Sequence, residues 1–335
     1  MRNIKILTDI DSTAFNSHAP HPMQAYEWGE ARKKTGIRVV RFGVFVNGIL
    51  EDAFQMTVHK LPKLSRYIGY IPRSKVPTKE VAIFLRTWAQ KERVIFIKWE
   101  PYELADSGST SMQEIPHMRK SPHSLFPEWN LEVDLTPSEE HMLTSCDKGM
   151  RYSIRSAERI GVTVTEMSND EGYKIFSDLY FGTVSRQKYH GHTLGYHKII
   201  WEQMSKNGIA RIFVAFYKGE PLAAFEIFFF HDRAYYPYGG TSSAHRNIPG
   251  AAYLMWQAML TAKREGKLVF DLWGSLPPGY TRKHSWQGFT FFKKRFGSTF
   301  VHMTPSHDLV VSPGMYWLYT CAYFLRKLIW KTGVV

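Results

Sequence analysis

Residues 209–231 read IARIFVAFYKGEPLAAFEIFFFH, two apolar runs around a Lys-Gly-Glu-Pro turn at 218–221. β-Branched and aromatic residues dominate both runs, so each reads as a strand and the turn joins them as a hairpin. Upstream, residues 170–187 have helical spacing, with Ser168 and Asn169 just before them as candidate caps. Downstream, residues 234–238 read as another strand, 249–265 as a long helix and 268–272 as the strand after it.

The first third of the chain has the same plan. Residues 24–36 (QAYEWGEARKKTG) form a helix with Trp28 and Ala31 on one side and charges on the other. Residues 37–47 alternate as a strand, Asn47-Gly48 is a turn dipeptide, and a second strand follows near 54–59. Residues 78–90, just after Pro77, are helical, and 94–98 form a short apolar strand. Helix, hairpin, then strand, helix, strand is the rhythm of a GNAT-type N-acyltransferase domain. Two such rhythms predict an α/β (α+β) chain of tandem GNAT-like domains. Residues 103–131, rich in Ser, Pro, His and Gly, read as a loop; 129–136 read as a strand followed by a Pro-Ser-Glu-Glu helix start. The boundary is placed near 138.

With 335 residues, 44% of them hydrophobic and 22% charged, the chain is globular and has room for two domains. A net charge of +13 favours polyanions: nucleic acid, pyrophosphate-bearing substrates or an anionic membrane face. Aromatics at 15% fit either a large-residue core or a ligand groove. The two cysteines, Cys146 and Cys321, form neither a zinc pattern nor a disulfide framework, so a reducing cytoplasm is expected. The N-terminus lacks the apolar core of a signal peptide. No run reaches the length of a membrane span; 315–330 comes nearest but is interrupted by Arg326 and Lys327. That stretch reads as a C-terminal helix packed on the body or lying at a membrane surface.

Five segments carry chemistry. Within 148–161 (KGMRYSIRSAERIG), Arg151, Arg155 and Arg159 recur every four residues and line one helical face, with Met150, Ile154 and Ala157 off that row. The row is either a solvated face or a surface for tRNA phosphates. Residues 288–297 (GFTFFKKRFG) hold three cations and four phenylalanines, and the alternation of Phe289 and Phe291 predicts a strand. Lys293 is the lysine that would enter an apolar pocket there to meet a negative charge, or else it sits on an edge strand. In 186–196, His190 and His192 flank Gly191 with no third ligand type nearby, so the segment reads as a ligand-contacting loop and not as a metal site. The run 234–246 (AYYPYGGTSSAHR) ends a strand on Gly-Gly, where a ligand could approach the backbone. Glu100 stands at a strand tip before Pro101, as an acidic partner for an amine or as an exposed charge.

Several enzyme classes are excluded. The sequence has no GxSxG, P-loop, HExxH or Rossmann glycine fingerprint. The Gly-rich turn that binds acetyl-CoA pyrophosphate in GNAT enzymes is also missing; the nearest position, 246–251 (RNIPGA), is a poor match. The donor in a GNAT-like fold would then not be acetyl-CoA.

Taken in order, KGMRYSIRSAERIGVTV, AYYPYGGTSS, the helix 249–265, FDLWGS and FFKKRFG resemble the FemABX peptidyltransferases, most strongly from about 148 to 300. The short spacing after Tyr196 leaves no room for a coiled-coil arm, as in short FemX-type members. The resemblance implies a first domain of 1–138 completed by about 305–335, a second of 139–304, and transfer from aminoacyl-tRNA to a peptidoglycan-precursor amine. The acceptor is UDP-MurNAc-pentapeptide or lipid II, and no metal or organic cofactor is expected. Lys293 matches the lysine that stabilises charge at the ester, and Phe292 shapes the pocket beside it. Tyr238 matches a tyrosine of the acceptor groove and Tyr196 one on the precursor phosphates. Glu100 is implied near the accepting amine, and Arg32 stands where a phosphate-binding lysine occurs. His192 stands where FemX-type members have an arginine, a departure that Arg32, Lys188 or a protonated histidine would have to offset. The implied protein is a cytoplasmic monomer with peripheral contact to the inner membrane face. Two rivals remain: an acyl-CoA-dependent N-acyltransferase, and a non-enzymatic binder of RNA or anionic membrane.

Overall fold

The structure, a computed structural model, describes residues 2–105, 112–187, 191–281 and 284–331, with backbone only for 327–331. The chain divides into two compact units, Met1–Glu128 with Met303–Val335, and Trp129–His302. The first unit opens with β1 (Arg2–Ile6), α1 (Ser12–Asn16), α2 (Tyr26–Lys34), β2 (Arg38–Val46), β3 (Ile49–Lys60), β4 (Tyr67–Ser74), α3 (Lys79–Lys91), β5 (Val94–Pro101) and β6 (Met118–Lys120). The second holds β7 (Trp129–Asp134), α4 (Glu139–Ser145), α5 (Lys148–Arg159), β8 (Thr163–Glu166), α6 (Asp170–Gln187), α7 (Leu194–Met204) and β9 (Ala210–Tyr217). It continues through β10 (Glu220–Phe230), β11 (Arg233–Thr241), α8 (Gly250–Arg264), β12 (Val269–Ser275), α9 (Gln287–Lys294) and β13 (Thr299–His302). The chain then returns to the first unit with β14 (His307–Val310) and α10 (Pro313–Lys331).

Each unit is built on one mixed sheet. The strand order is β1-β2-β3-β4-β5-β14-β6 in the first and β8-β9-β10-β11-β12-β7-β13 in the second, read from corresponding edges. The only parallel pairs among the described strands are β4–β5 and β11–β12. The crossover between them is α3 in one unit and α8 in the other, as parallel neighbours require. Both hairpins use the same turn. Asn47-Gly48 and Lys218-Gly219 each place two residues at positive φ, the type I′ geometry that matches strand twist. The tandem GNAT-like α/β architecture holds, and no coiled-coil arm occurs among the described residues.

Burial explains the elements. Thr78 caps α3, its side chain accepting from Val81 N, and Val81, Ala82, Leu85, Trp88 and Ala89 form its buried face. All eight residues of β5 are buried, because this strand has layers on both sides. In the second unit, Phe225, Ile227 and Phe229 of β10 share one core cluster with Met150 and Ile154 of α5 and Leu254 and Met255 of α8.

Three expectations need correction. Residues 288–297 do not form a strand: Gln287–Lys294 is a helix with Thr290 and Lys293 buried, while Phe289 and Phe291 are exposed. Their alternation is a surface coincidence, not a core face. The first boundary falls between Glu128 and Trp129 instead of near 138, because β7 pairs with β12 and β13. The expected loop 103–131 also contains β6, while β7 (Trp129–Asp134) matches the strand expected at 129–136.

Candidate functional site

The second unit carries the charged core. Lys293 on α9 is 8% exposed, and its Nζ donates to the Gly274 carbonyl of β12 at 2.8 Å. Burial presses its pKa down to about 8, against the charge of Asp271, which holds it up. The ammonium therefore keeps its proton at neutral pH while lying almost out of water. Asp271 is fully buried on β12 and accepts from Asn130 Nδ2 at 3.0 and 3.3 Å and from Trp273 N at 2.6 Å. Trp273 sits at φ +67° in a bulge of the β7–β12 ladder, which bends β12 beside Gly274. Glu132 faces Asp271 across that ladder. Burial and the Asp271 charge lift its pKa to about 7, although Arg233 at 3.0 Å opposes the shift.

The second group of residues lies at the start of α7. Thr193 caps this helix by accepting from Tyr196 N. The exposed His192 ring stacks on Tyr196 at 3.9 Å. His197 follows, 1% exposed, with its ring 5.7 Å from Tyr196 and 4.7 Å from Tyr238. Thus His192, Tyr196 and Tyr238 come together, joined by a histidine that sequence reasoning did not single out. Burial lowers the His197 pKa to about 4, so its ring is neutral. Lys188 and His190 lie outside the described residues. Behind the cluster, Glu226 of β10 is 1% exposed and neither carboxyl oxygen has a hydrogen-bond partner among the described residues. Burial raises its pKa to about 8. A lone acid in the apolar run LAAFEIFFF was the sequence signal for Glu226; one in VFDLWGS was the signal for Asp271.

A cavity of about 550 Å³ opens at the N-terminus of α8. Arg186, Arg246 and Arg295 supply its cationic lining, His245 lies beside them, and Phe292 forms one of its apolar walls. Pro249 gives α8 no side-chain cap. Gly250 is required next to it, because a Cβ there would stand 2.7 Å from Leu222 Cδ1. Phe292 and Lys293 thus diverge, one lining the cavity and the other reaching β12. The arginine row of α5 also divides. Arg151 is turned inward, donating to the carbonyls of Thr144 (2.9 Å) and Cys146 at the end of α4. Arg155 and Arg159 are exposed, with no ion pair among the described residues.

In the first unit, Arg32 is half-buried with its guanidinium carbon 5.6 Å from the Trp28 ring. Glu100 is neither an exposed charge nor an open acid. It is 3% exposed, and its oxygens accept from Tyr70 Oη (2.6 Å), Ser306 Oγ (2.6 Å), Leu125 N (2.6 Å) and Phe126 N (3.3 Å). These donors occupy the lone pairs that a base would need free.

This arrangement can be set beside known proteins. A sequence model of the FemAB family matches residues 116–218 and 206–324. The chain belongs to the FemAB family. A lipid II:glycine glycyltransferase of Staphylococcus epidermidis is 24% identical over 234 residues, 64% of this chain and 56% of that protein. The FemAB chain therefore spans little more than half the length of that relative. The crystal structure of FemX superposes with a TM-score of 0.84 at 18% identity, covering 93% of this chain and 98% of the other. A tandem GNAT protein from the clavulanic acid biosynthesis pathway superposes at 0.51 with 10% identity, over 93% of this chain and 99% of the other. At these identities the likeness to FemX and to the tandem GNAT protein is one of fold.

Proposed function

We propose that this FemAB chain moves an amino acid from aminoacyl-tRNA to the stem-peptide amine of a peptidoglycan precursor, UDP-MurNAc-pentapeptide or lipid II. The observation that carries the proposal is Lys293: a buried lysine, cationic at neutral pH, aimed at a bulged strand beside Asp271. The similarity to a lipid II:glycine glycyltransferase supports a lipid-linked acceptor.

An aminoacyl ester is already activated, so the reaction needs no covalent enzyme intermediate, metal or organic cofactor. The neutral acceptor amine bonds to the ester carbonyl carbon, the ribose oxygen leaves, and the proton from the amine goes to that oxygen. Charge builds on the carbonyl oxygen in between, and the Lys293 ammonium meets it in a site already cleared of water. Phe292 walls the cavity at α8, away from the Lys293 contact with β12, and flanks the tRNA end there. Tyr238, Tyr196 and His192 line the acceptor side, and Arg32 takes a precursor phosphate. Glu100 holds the backbone at Leu125 and Phe126 in place and is not the base. Arg155, Arg159 and the cationic cavity hold tRNA phosphates, while Arg151 acts as a strut. The protein works as a cytoplasmic monomer.

Transfer of a labelled amino acid from charged tRNA to lipid II or UDP-MurNAc-pentapeptide tests this reading. Lys293→Met is expected to slow it by about 100-fold or more; unchanged turnover removes Lys293 from the mechanism. The cavity at α8 also favours a second reading, an acyl-CoA donor whose pyrophosphate would sit at the helix N-terminus. Competition between coenzyme A and charged tRNA for the protein separates the two.

A further inference from the structure

α10 has one face anchored and one face bare. Tyr316 is buried, donates its hydroxyl to Asp308 at 3.0 Å and sets its ring 5.2 Å from Phe96. Tyr319 packs on the same Phe96. The other side of the helix exposes Trp317 (53%), Leu318 (65%), Phe324 (47%) and Leu325 (61%). Their spacing of i, i+1, i+7 and i+8, with exposed Cys321 at i+4, makes one continuous stripe. Scattered single hydrophobes need no explanation, but an aligned stripe on one helix does.

The charge beside the stripe has one sign. Residues 309–335 contain no Asp or Glu, nor do residues 115–127, which include β6. Arg119 and Lys120 of β6 are exposed, and the Arg119 guanidinium lies 5.9 Å from the Trp317 ring. Arg326, also exposed, follows Leu325. Among the described residues no helix is long and apolar enough to cross a membrane. An apolar stripe edged by cations on such a helix suits the plane of a bilayer interface, with aromatic rings at headgroup depth and cations on anionic headgroups. A second copy of the chain is the poorer occupant, since it would bring the same cations face to face.

We infer that α10 docks this protein on an anionic phospholipid surface through Trp317, Leu318, Phe324 and Leu325, with Arg119, Lys120 and Arg326 at the headgroups. The inference is independent of the transfer chemistry, since none of these residues belongs to the proposed site. Co-sedimentation with phosphatidylcholine vesicles, with and without phosphatidylglycerol, tests it. Wild-type protein is expected to bind the mixed vesicles about 10-fold more tightly, with the difference shrinking at high salt. The double variant Trp317→Ser/Phe324→Ser should lose about 10-fold in binding at unchanged Tm, because both side chains are already exposed. Cys321 gives a second readout: Cys146 is buried with its thiol pushed up to about 11, so an environment-sensitive dye attaches to Cys321 and should shift to the blue on mixed vesicles. Equal binding of both proteins overturns the inference, as does absence of binding by the wild type. A concentration-dependent dimer abolished by the double variant overturns it too, since the stripe is then a contact between copies.

Discussion

In the first unit Lys98 of β5 faces Asp308 of β14; in the second Asp271 of β12 faces Glu132 of β7. The positions correspond. Each lies on the fifth strand of its sheet, with a tyrosine as its parallel partner on the next strand, Tyr70 in one unit and Tyr235 in the other. The opposing strand has a different origin in each: β14 returns from the C-terminal segment Met303–Val335, whereas β7 is the first strand of its own unit. The chemistry differs. Lys98 and Asp308 form a buried ion pair at 3.0 Å, closed by Ser121, the His123 carbonyl and the Tyr316 hydroxyl. The second unit instead sets two acids side by side and brings in Lys293 from α9 and Arg233 from β11. The crossover helices differ in the same direction. α3 is capped by Thr78 above a cavity of about 200 Å³ that is lined by the Asp52–Lys75 pair. α8 has no side-chain cap and opens on an arginine-lined cavity, whereas the start of α3 also borders a cavity lined by Glu80, Glu103 and Glu114. The first unit closes its polar groups on one another, while the second leaves them under electrostatic tension in the manner of a site.

The largest effect should come from opening the closed network. Lys98→Met leaves Asp308 buried without its cation, and breaking such a pair costs about 3–5 kcal/mol. Thermal denaturation should show Tm lower by about 10 °C. Lys293→Met at the corresponding tension point should behave in the opposite way. It removes a desolvated cation, so Tm should hold within about 2 °C while transfer falls by about 100-fold. A similar Tm loss in both variants breaks the comparison. The wild-type pH profile sharpens it. Burial lowers the Lys293 pKa from 10.5 to about 8, so the cation is present below that pH and lost above it. kcat should therefore fall as pH rises through about 8, and Lys293→Arg should move that limb upward.

Glu226 gives a smaller effect with a definite sign. Its pKa rises from 4.5 to about 8, so the folded chain keeps a proton that the unfolded chain releases between those values. The stability this group allows is complete below pH 4.5 and is lost as pH rises toward 8. Glu226→Gln cannot ionise. Its unfolding free energy should lie close to that of wild type near pH 5 and exceed it near pH 8 by an amount on the order of 2 kcal/mol. A constant difference across pH would mean that Glu226 is ionised in the fold.

What the sequence made legible follows from what local pattern can encode. The 209–231 hairpin was readable because both runs are β-prone and a glycine supplies the positive-φ turn. The strands β13 and β14 were not readable, being four residues each and paired with strands distant in sequence. α9 misled because Phe289 and Phe291 alternate on solvent, whereas burial follows Thr290, Lys293 and Phe296. At the candidate site, Lys293 could be chosen from its motif, but Asp271, Glu132 and the Gly274 carbonyl become its surroundings only through ladder register and a bulge. Glu100 could be placed at a strand tip, but its four donors include Ser306, which lies 206 residues away in sequence.

The helices that follow the two completing strands extend the contrast and supply its finest test. After β14 comes α10 with an exposed apolar stripe; after β7 come α4 and α5 with an arginine row. Spacing alone makes Arg151, Arg155 and Arg159 equivalent, yet Arg151 is engaged with the α4 carbonyls while the other two point to solvent. An arginine on a phosphate releases one counterion, so each of Arg155→Gln and Arg159→Gln should reduce the slope of log K against log salt for tRNA by about 1. Arg151→Gln should leave that slope alone and lower Tm by about 2 °C, because carbonyls at the end of α4 lose a charged donor. Three equal slope changes would mean that Arg151 leaves those carbonyls when RNA binds. No change for Arg155 and Arg159 would move the phosphates to the cavity at α8, where Arg246→Gln should then carry the loss.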